Sequence, residues 1–115
     1  MIKKYILSIL FLLVSMSPGF SQDLTKIGSD DLKSLLNDSS DKLHIINFWA
    51  TWCSPCVTEL PYFEEAAQKF EGEDVEFTLV NLDFPSQVES RLVPFLEEKK
   101  ITLKVLLMEE LDYDK

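Results

Sequence analysis

Cys53 and Cys56 are the only thiols in this 115-residue chain, spaced as Cys53-Ser54-Pro55-Cys56. Cysteines at this spacing, at a strand-to-helix turn, can run a dithiol exchange. One thiol attacks a disulfide, and the second, one helical turn later, resolves the mixed disulfide. The attacking species is the thiolate, so its pKa must be lowered. Cys53 falls at the expected N-terminus of a helix over 53–70, where free backbone N–H groups and the helix dipole favour an anion. Cys56, one turn in, is expected to be less exposed. Pro55 suits the first turn, because the donor it lacks would be unpaired there anyway. Trp49 and Trp52 frame the turn with large apolar surfaces. Two duller readings compete. A static disulfide would close a loop too small to constrain the unfolded chain much. A zinc site needs about four ligands, whereas His44 is the only histidine and no second C-x-x-C exists. No metal is expected, and His44 reads as a strand residue without chemistry.

The elements that must position this pair are legible on both sides. Leu43 to Phe48 is a continuous apolar run broken by one His, which suits a strand covered on both faces. Val57, Leu60, Phe63, Ala67 and Phe70 recur at the period of one helix face, and Gly72 is a good stop. Pro61 lies inside that pattern and should kink it. Upstream, Ser29 or Asp30 can cap a short helix carrying Leu32, Leu35 and Leu36, and Asn37 to Asp41 should turn the chain. Downstream, Val75 to Asp83 reads as a second strand. Ser86 with Glu89 matches an S-x-x-E capping box, so a helix should start there and bend at Pro94. Ile101, Leu103, Val105 and Leu107 mark a third strand. The order β-α-β-α-β argues for an α/β layered sheet, with the cysteine turn at the carboxyl end of its first strand.

Composition narrows the setting. Lys3 and Lys4 precede the apolar stretch Tyr5–Val14, and small and turn residues follow to Gln22. This reads as a secretory signal over 1–21, cleaved near residue 21 or retained as an anchor. The remaining domain, 22–115, has nine basic and twenty acidic residues against eleven and twenty in the whole chain, a net charge of −11 rather than −9. That acidity argues against nucleic acid and against anionic lipid.

The segment Asn47-Phe48-Trp49-Ala50-Thr51-Trp52-Cys53-Ser54-Pro55-Cys56-Val57-Thr58-Glu59-Leu60-Pro61 resembles the active-site segment of the thioredoxin superfamily. More closely it resembles the exported TlpA/ResA-like branch, whose pattern is F-W-A-x-W-C-x-P-C-x-x-E-x-P. The resemblance implies a thioredoxin-like three-layer α/β fold. It implies an enzyme, a thiol–disulfide oxidoreductase of the periplasm or cell envelope that reduces envelope-protein disulfides. Apocytochrome c cysteines are among its candidate substrates, and a membrane protein would supply the electrons. No diffusible cofactor is implied, because the redox-active Cys53–Cys56 disulfide carries the electrons. By the same resemblance Cys53 is the nucleophile, Cys56 the resolving thiol and Pro61 the proline that kinks the active-site helix. Glu59, three residues after Cys56, is a candidate proton acceptor or donor for the resolving thiol; a solvated helix glutamate is the alternative. Asn47 stands where cytosolic thioredoxins carry a buried aspartate.

The family also places a cis-proline opposite the cysteine pair, at the start of a later strand, then a hairpin and a closing helix. The prolines here are Pro18, Pro55, Pro61, Pro85 and Pro94, and none follows Ile101. The expectation is therefore a partial domain, a fragment without the cis-proline hairpin and last helix, with an open sheet edge. Two alternatives follow: a non-catalytic remnant, or a peroxidase relative. The peroxidase segment P-x-x-x-T-x-x-C is not met, since Thr51 lies two residues before Cys53 and position 47 is Asn.

Overall fold

The computed structural model describes residues 24–109. The leader-like stretch 1–21 and the acidic residues 110–115 lie outside them. Four strands form one parallel sheet: β1 (Thr25–Ile27), β2 (Leu43–Trp49), β3 (Val75–Asn81) and β4 (Lys104–Met108), in the order β1-β4-β3-β2. The helices are α1 (Ser29–Leu36), α2 (Ser54–Lys69) and α3 (Val93–Glu98).

Alternation along the strands sorts side chains to two faces. Trp49, Leu79, Val105 and Leu107 point to one face, where Leu60 of α2 and Leu96 of α3 join them in the main core. Ile27, Val80, Leu106 and Met108 form a smaller cluster on the other face, against Leu32 and Leu35 of α1. The result is three layers, helix–sheet–helix, as expected. The short strand β1 was not anticipated. Three residues carry no readable period, and it exists through its pairing with β4, Thr25 opposite Leu106 and Ile27 opposite Met108.

Three expectations are corrected. The first concerns β2. Its largely apolar run suggested a strand covered on both faces, but β2 is the outermost strand at its side of the described sheet, and only Trp49 in it is buried. The fully covered strand is β3, flanked on both edges and buried from Phe77 to Asn81. The second concerns Ser86, which caps no α-helix. Pro85–Gln87 is a 3-10 turn and Val88–Leu92 a π-turn, and regular α geometry begins only with α3, with Pro94 in its first turn. A proline donates no N–H, so it fits where helical bonding changes register. The third concerns Ile101–Leu103, which do not extend β4. Ile101 is buried, but Thr102 and Leu103 turn away to donate to a carboxylate of α2. Glu64 Oε1 accepts the Thr102 N–H at 2.8 Å and the Leu103 N–H at 3.1 Å, and Oε2 accepts the Thr102 hydroxyl. These bonds tie the start of β4 to the cysteine-bearing helix.

The loop after α1 behaves as its composition predicts. Asp38 Oδ1 accepts the Ser40 N–H at 3.0 Å, a turn closed by its own side chain. Asp38 Oδ2 accepts the Ser40 hydroxyl at 2.7 Å and lies 2.7 Å from His44 Nε2 of β2. The Ser40 bonds foremost, then His44, hold the Asp38 carboxyl below its usual range.

Two outcomes are expected. Glu64→Ala removes the shared acceptor of an exposed and a part-buried backbone donor and lowers stability by about 0.5–1.5 kcal/mol in urea denaturation, with Glu64→Gln in between. Asp38 is depressed in the folded state, so its contribution is present above the unfolded value of 3.8 and lost as pH falls through the lower folded value. Asp38→Asn should therefore flatten the acid limb of the stability–pH profile. An unchanged limb in that variant would contradict the assignment.

Candidate functional site

β2 and β3 run parallel with Trp49 opposite Asn81. The pairing continues one step further, as Leu82 N–H donates to the Trp49 carbonyl at 2.8 Å. Beyond Trp49 the chain makes a tight turn in which Cys53 N–H returns to the Ala50 carbonyl at 3.1 Å. Cys53 is the N-cap of α2, and its carbonyl accepts the Val57 N–H at 3.0 Å. Pro55 sits in the first turn, and no acidic residue stands there to compete for the exposed N–H groups. Thr58 donates its hydroxyl to the Ser54 carbonyl at 3.1 Å.

Cys53 and Cys56 are joined in a disulfide with Cα atoms 5.3 Å apart. Both are half-buried, and Cys56 packs against the main core that contains Trp49 and Leu60. The pair is therefore reachable from solvent yet backed by close-packed side chains. Trp49 is buried and stacks at a tilt on Phe95, ring centroids 5.5 Å apart. Trp52, one residue before Cys53, is 51% exposed, and Phe84 is 44% exposed. The two tryptophans thus divide: one anchors the turn, the other lies open beside the disulfide.

The remaining site residues named from the sequence scatter. Pro61 lies inside α2, which runs through it without interruption. Asn47 is half-buried in β2, and its amide nitrogen is buried without a partner among the described residues. Glu59 is exposed and makes no hydrogen bond or ion pair among the described residues. It borders a groove of about 500 Å³ with Ile45, Tyr62, Phe63, Phe70 and Phe77.

Thr51 and Asp83, which bond each other beside the cysteine turn, are not among the site residues named from the sequence. Asp83, wholly buried, accepts the Thr51 N–H on Oδ1 at 2.7 Å and the Thr51 hydroxyl on Oδ2 at 2.8 Å. Asp83 N–H in turn donates to Asn81 Oδ1 at 2.9 Å. The available signal was the Asn81-Leu82-Asp83 sequence at a strand end, whose polar residues should have been exposed unless they had partners.

Residues 16–110 match the AhpC/TSA family. The chain belongs to the AhpC/TSA family. Among AhpC/TSA and thioredoxin-like relatives, the thiol-disulfide oxidoreductase ResA of Oceanobacillus iheyensis is 36% identical over 70 residues, covering 61% of this chain and 35% of that protein. The thioredoxin-like protein YneN of Bacillus subtilis is 33% identical over 75 residues, covering 65% and 44%. A thioredoxin of Coprinus comatus is 39% identical over 59 residues, covering 51% and 54%. The chain thus spans about a third to a half of the length of these curated relatives. A solution structure of a Bacteroides vulgatus protein, described as a thiol-disulfide oxidoreductase, superposes with a TM-score of 0.51 at 29% identity, covering 60% of this chain and 43% of that one. The fold of this AhpC/TSA chain is thioredoxin-like.

Proposed function

We propose that this protein is an exported thiol–disulfide oxidoreductase that works by dithiol exchange at Cys53 and Cys56. The observation that carries the reading is the half-exposed Cys53–Cys56 disulfide at the N-terminus of α2, at the carboxyl end of β2. The names of the ResA relatives support it, as does the leader-like Lys3, Lys4 and Tyr5–Val14 pattern for export. The substrates on this reading are disulfides of cell-envelope proteins, with apocytochrome c cysteines as one candidate, and the electron donor is a membrane dithiol protein.

The reaction balances on the two cysteines. In the reduced protein the Cys53 thiolate, favoured by the open N–H groups of the first turn of α2, attacks one sulfur of the substrate disulfide. A Cys53–substrate bond forms and the other substrate sulfur leaves as a thiolate, taking a proton from solvent. Cys56 loses its proton and attacks Cys53 Sγ. The Cys53–Cys56 disulfide forms and the second substrate thiol departs, so two electrons have passed to the substrate. A donor dithiol reverses these steps on this protein. Glu59, on the flank of α2, is the proposed acceptor of the Cys56 proton. The peroxidase alternative is not favoured, because the Thr51 hydroxyl is committed to Asp83.

A Cys56→Ser variant should stop at the mixed disulfide. Incubated with an envelope extract, it should accumulate Cys53-linked adducts that dithiothreitol releases, whereas Cys53→Ser should form none. Equal recovery from both variants would sink the assignment of roles. Glu59→Gln should slow the resolving step several-fold and leave the first attack unchanged, read by single-turnover kinetics.

A further inference from the structure

The stretch that delivers Cys53 into α2 is the turn Ala50–Cys53. Its closing bond is the Cys53 N–H to the Ala50 carbonyl, and the turn's other inner donors, the Thr51 N–H and hydroxyl, both go to Asp83, 32 residues away. The geometry points to Asp83 as a positioning residue for Cys53, its buried carboxylate fixing through Thr51 the turn from which the nucleophile enters the helix. This inference deepens the exchange reading and rests on it.

Thr51 offers two donors, and an ionised carboxylate offers two acceptor oxygens and no donor, so the fork is matched atom for atom. An amide at position 83 would offer one acceptor and one donor and could keep the backbone bond while disturbing the hydroxyl bond. Burial makes the match consequential. Asp83 is 0% exposed, and a buried carboxylate is tolerated only when hydrogen bonds replace its hydration. Losing Thr51 as a partner would therefore cost more than an exposed hydrogen bond would.

Asp83 is itself held. Its N–H is bonded to Asn81 Oδ1, and the preceding Leu82 N–H to the Trp49 carbonyl. The carboxylate is thus fixed relative to the ends of both strands. Neither Asp83 nor Thr51 need touch a reacting sulfur for this to matter. Stabilisation of an anion at a helix N-terminus falls off within the first turn, so it depends on where Cys53 Sγ stands. A turn released from Asp83 would let Cys53 wander from the open N–H groups, and misplacement by about 1 Å can cost on the order of a hundredfold in rate.

The test compares the wild type, Asp83→Asn, Thr51→Val and the double variant, each reduced and confirmed folded by circular dichroism. The readout is the pH profile of Cys53 alkylation by iodoacetamide, resolved from Cys56 by peptide mass spectrometry. Both single variants should slow Cys53 alkylation below neutral pH, by about tenfold for Asp83→Asn and less for Thr51→Val. The double variant should be no slower than Asp83→Asn alone, because both changes break one interaction. A residue with a purely structural role would lower the urea midpoint and leave the alkylation profile of the folded protein at wild type; that result overturns the inference. A shift in Asp83→Asn with Thr51→Val at wild type, or a double variant slower than Asp83→Asn by the full Thr51→Val effect, would overturn the route through Thr51. Alkylation needs no partner protein, so a failure of Cys56→Ser to trap adducts would sink the exchange reading separately.

Discussion

The parallel pairing of β2 with β3 is the constraint from which the site follows. With Trp49 opposite Asn81, the chain leaves β2 just where β3 ends, and the two exits lie side by side. The Asn81 side chain turns the backbone back through Asp83 N–H, and Asp83 then reaches Thr51. A slip of one residue in this register would swap the faces of β2 and carry Trp49 out of the main core. It would also move Thr51 away from Asp83. Register is thus the point at which core packing and cysteine chemistry are joined.

The helix adds the second requirement. The terminus of α2 offers an anion up to about 2 kcal/mol in a favourable, partly buried setting, more than a tenfold change in thiolate population. That gain is available only if α2 is seated firmly. Leu60 of α2 is buried in the main core, Cys56 packs beside it, and Glu64 ties the far side of the helix to the approach to β4. The reactive end is therefore more open than what stands behind it. Trp52, next to Cys53 in the chain, remains exposed while Trp49 is buried. A rigid support with an open apolar margin suits a protein that meets other polypeptides at one sulfur atom.

Much of this was readable in advance. The C-x-x-C spacing, the helix face from Val57 to Phe70 and the apolar run before Trp49 located the cysteines at a strand-to-helix turn, where the structure has them. The layered α/β sheet followed from element order, and its three layers were what the resemblance to the thioredoxin superfamily implied. What could not be read depended on partners distant in the chain. Three residues of β1 have no period of their own and are ordered by β4. Glu64 falls between the apolar positions of the helix face, with no local signal of a partner, and only the fold brings Thr102 and Leu103 to it. Asp83 looked like the polar end of a strand, because nothing local shows that Thr51 lies across from it. The Ser86–Glu89 pattern misled for the opposite reason: it is a local signal, and the proline at 94 and the buried positions Val88 and Leu92 prevailed over it.

The central claim is that Cys53 and Cys56 form a working dithiol rather than a static bridge. Reduction of insulin disulfides by this protein, with dithiothreitol as the electron source, measures it most directly. The account predicts that catalytic amounts of the wild type bring insulin precipitation on well before dithiothreitol alone does, and that Cys53→Ser abolishes the acceleration. A wild-type rate equal to that of free dithiothreitol would contradict the account and leave a thioredoxin-like domain whose cysteines do no exchange.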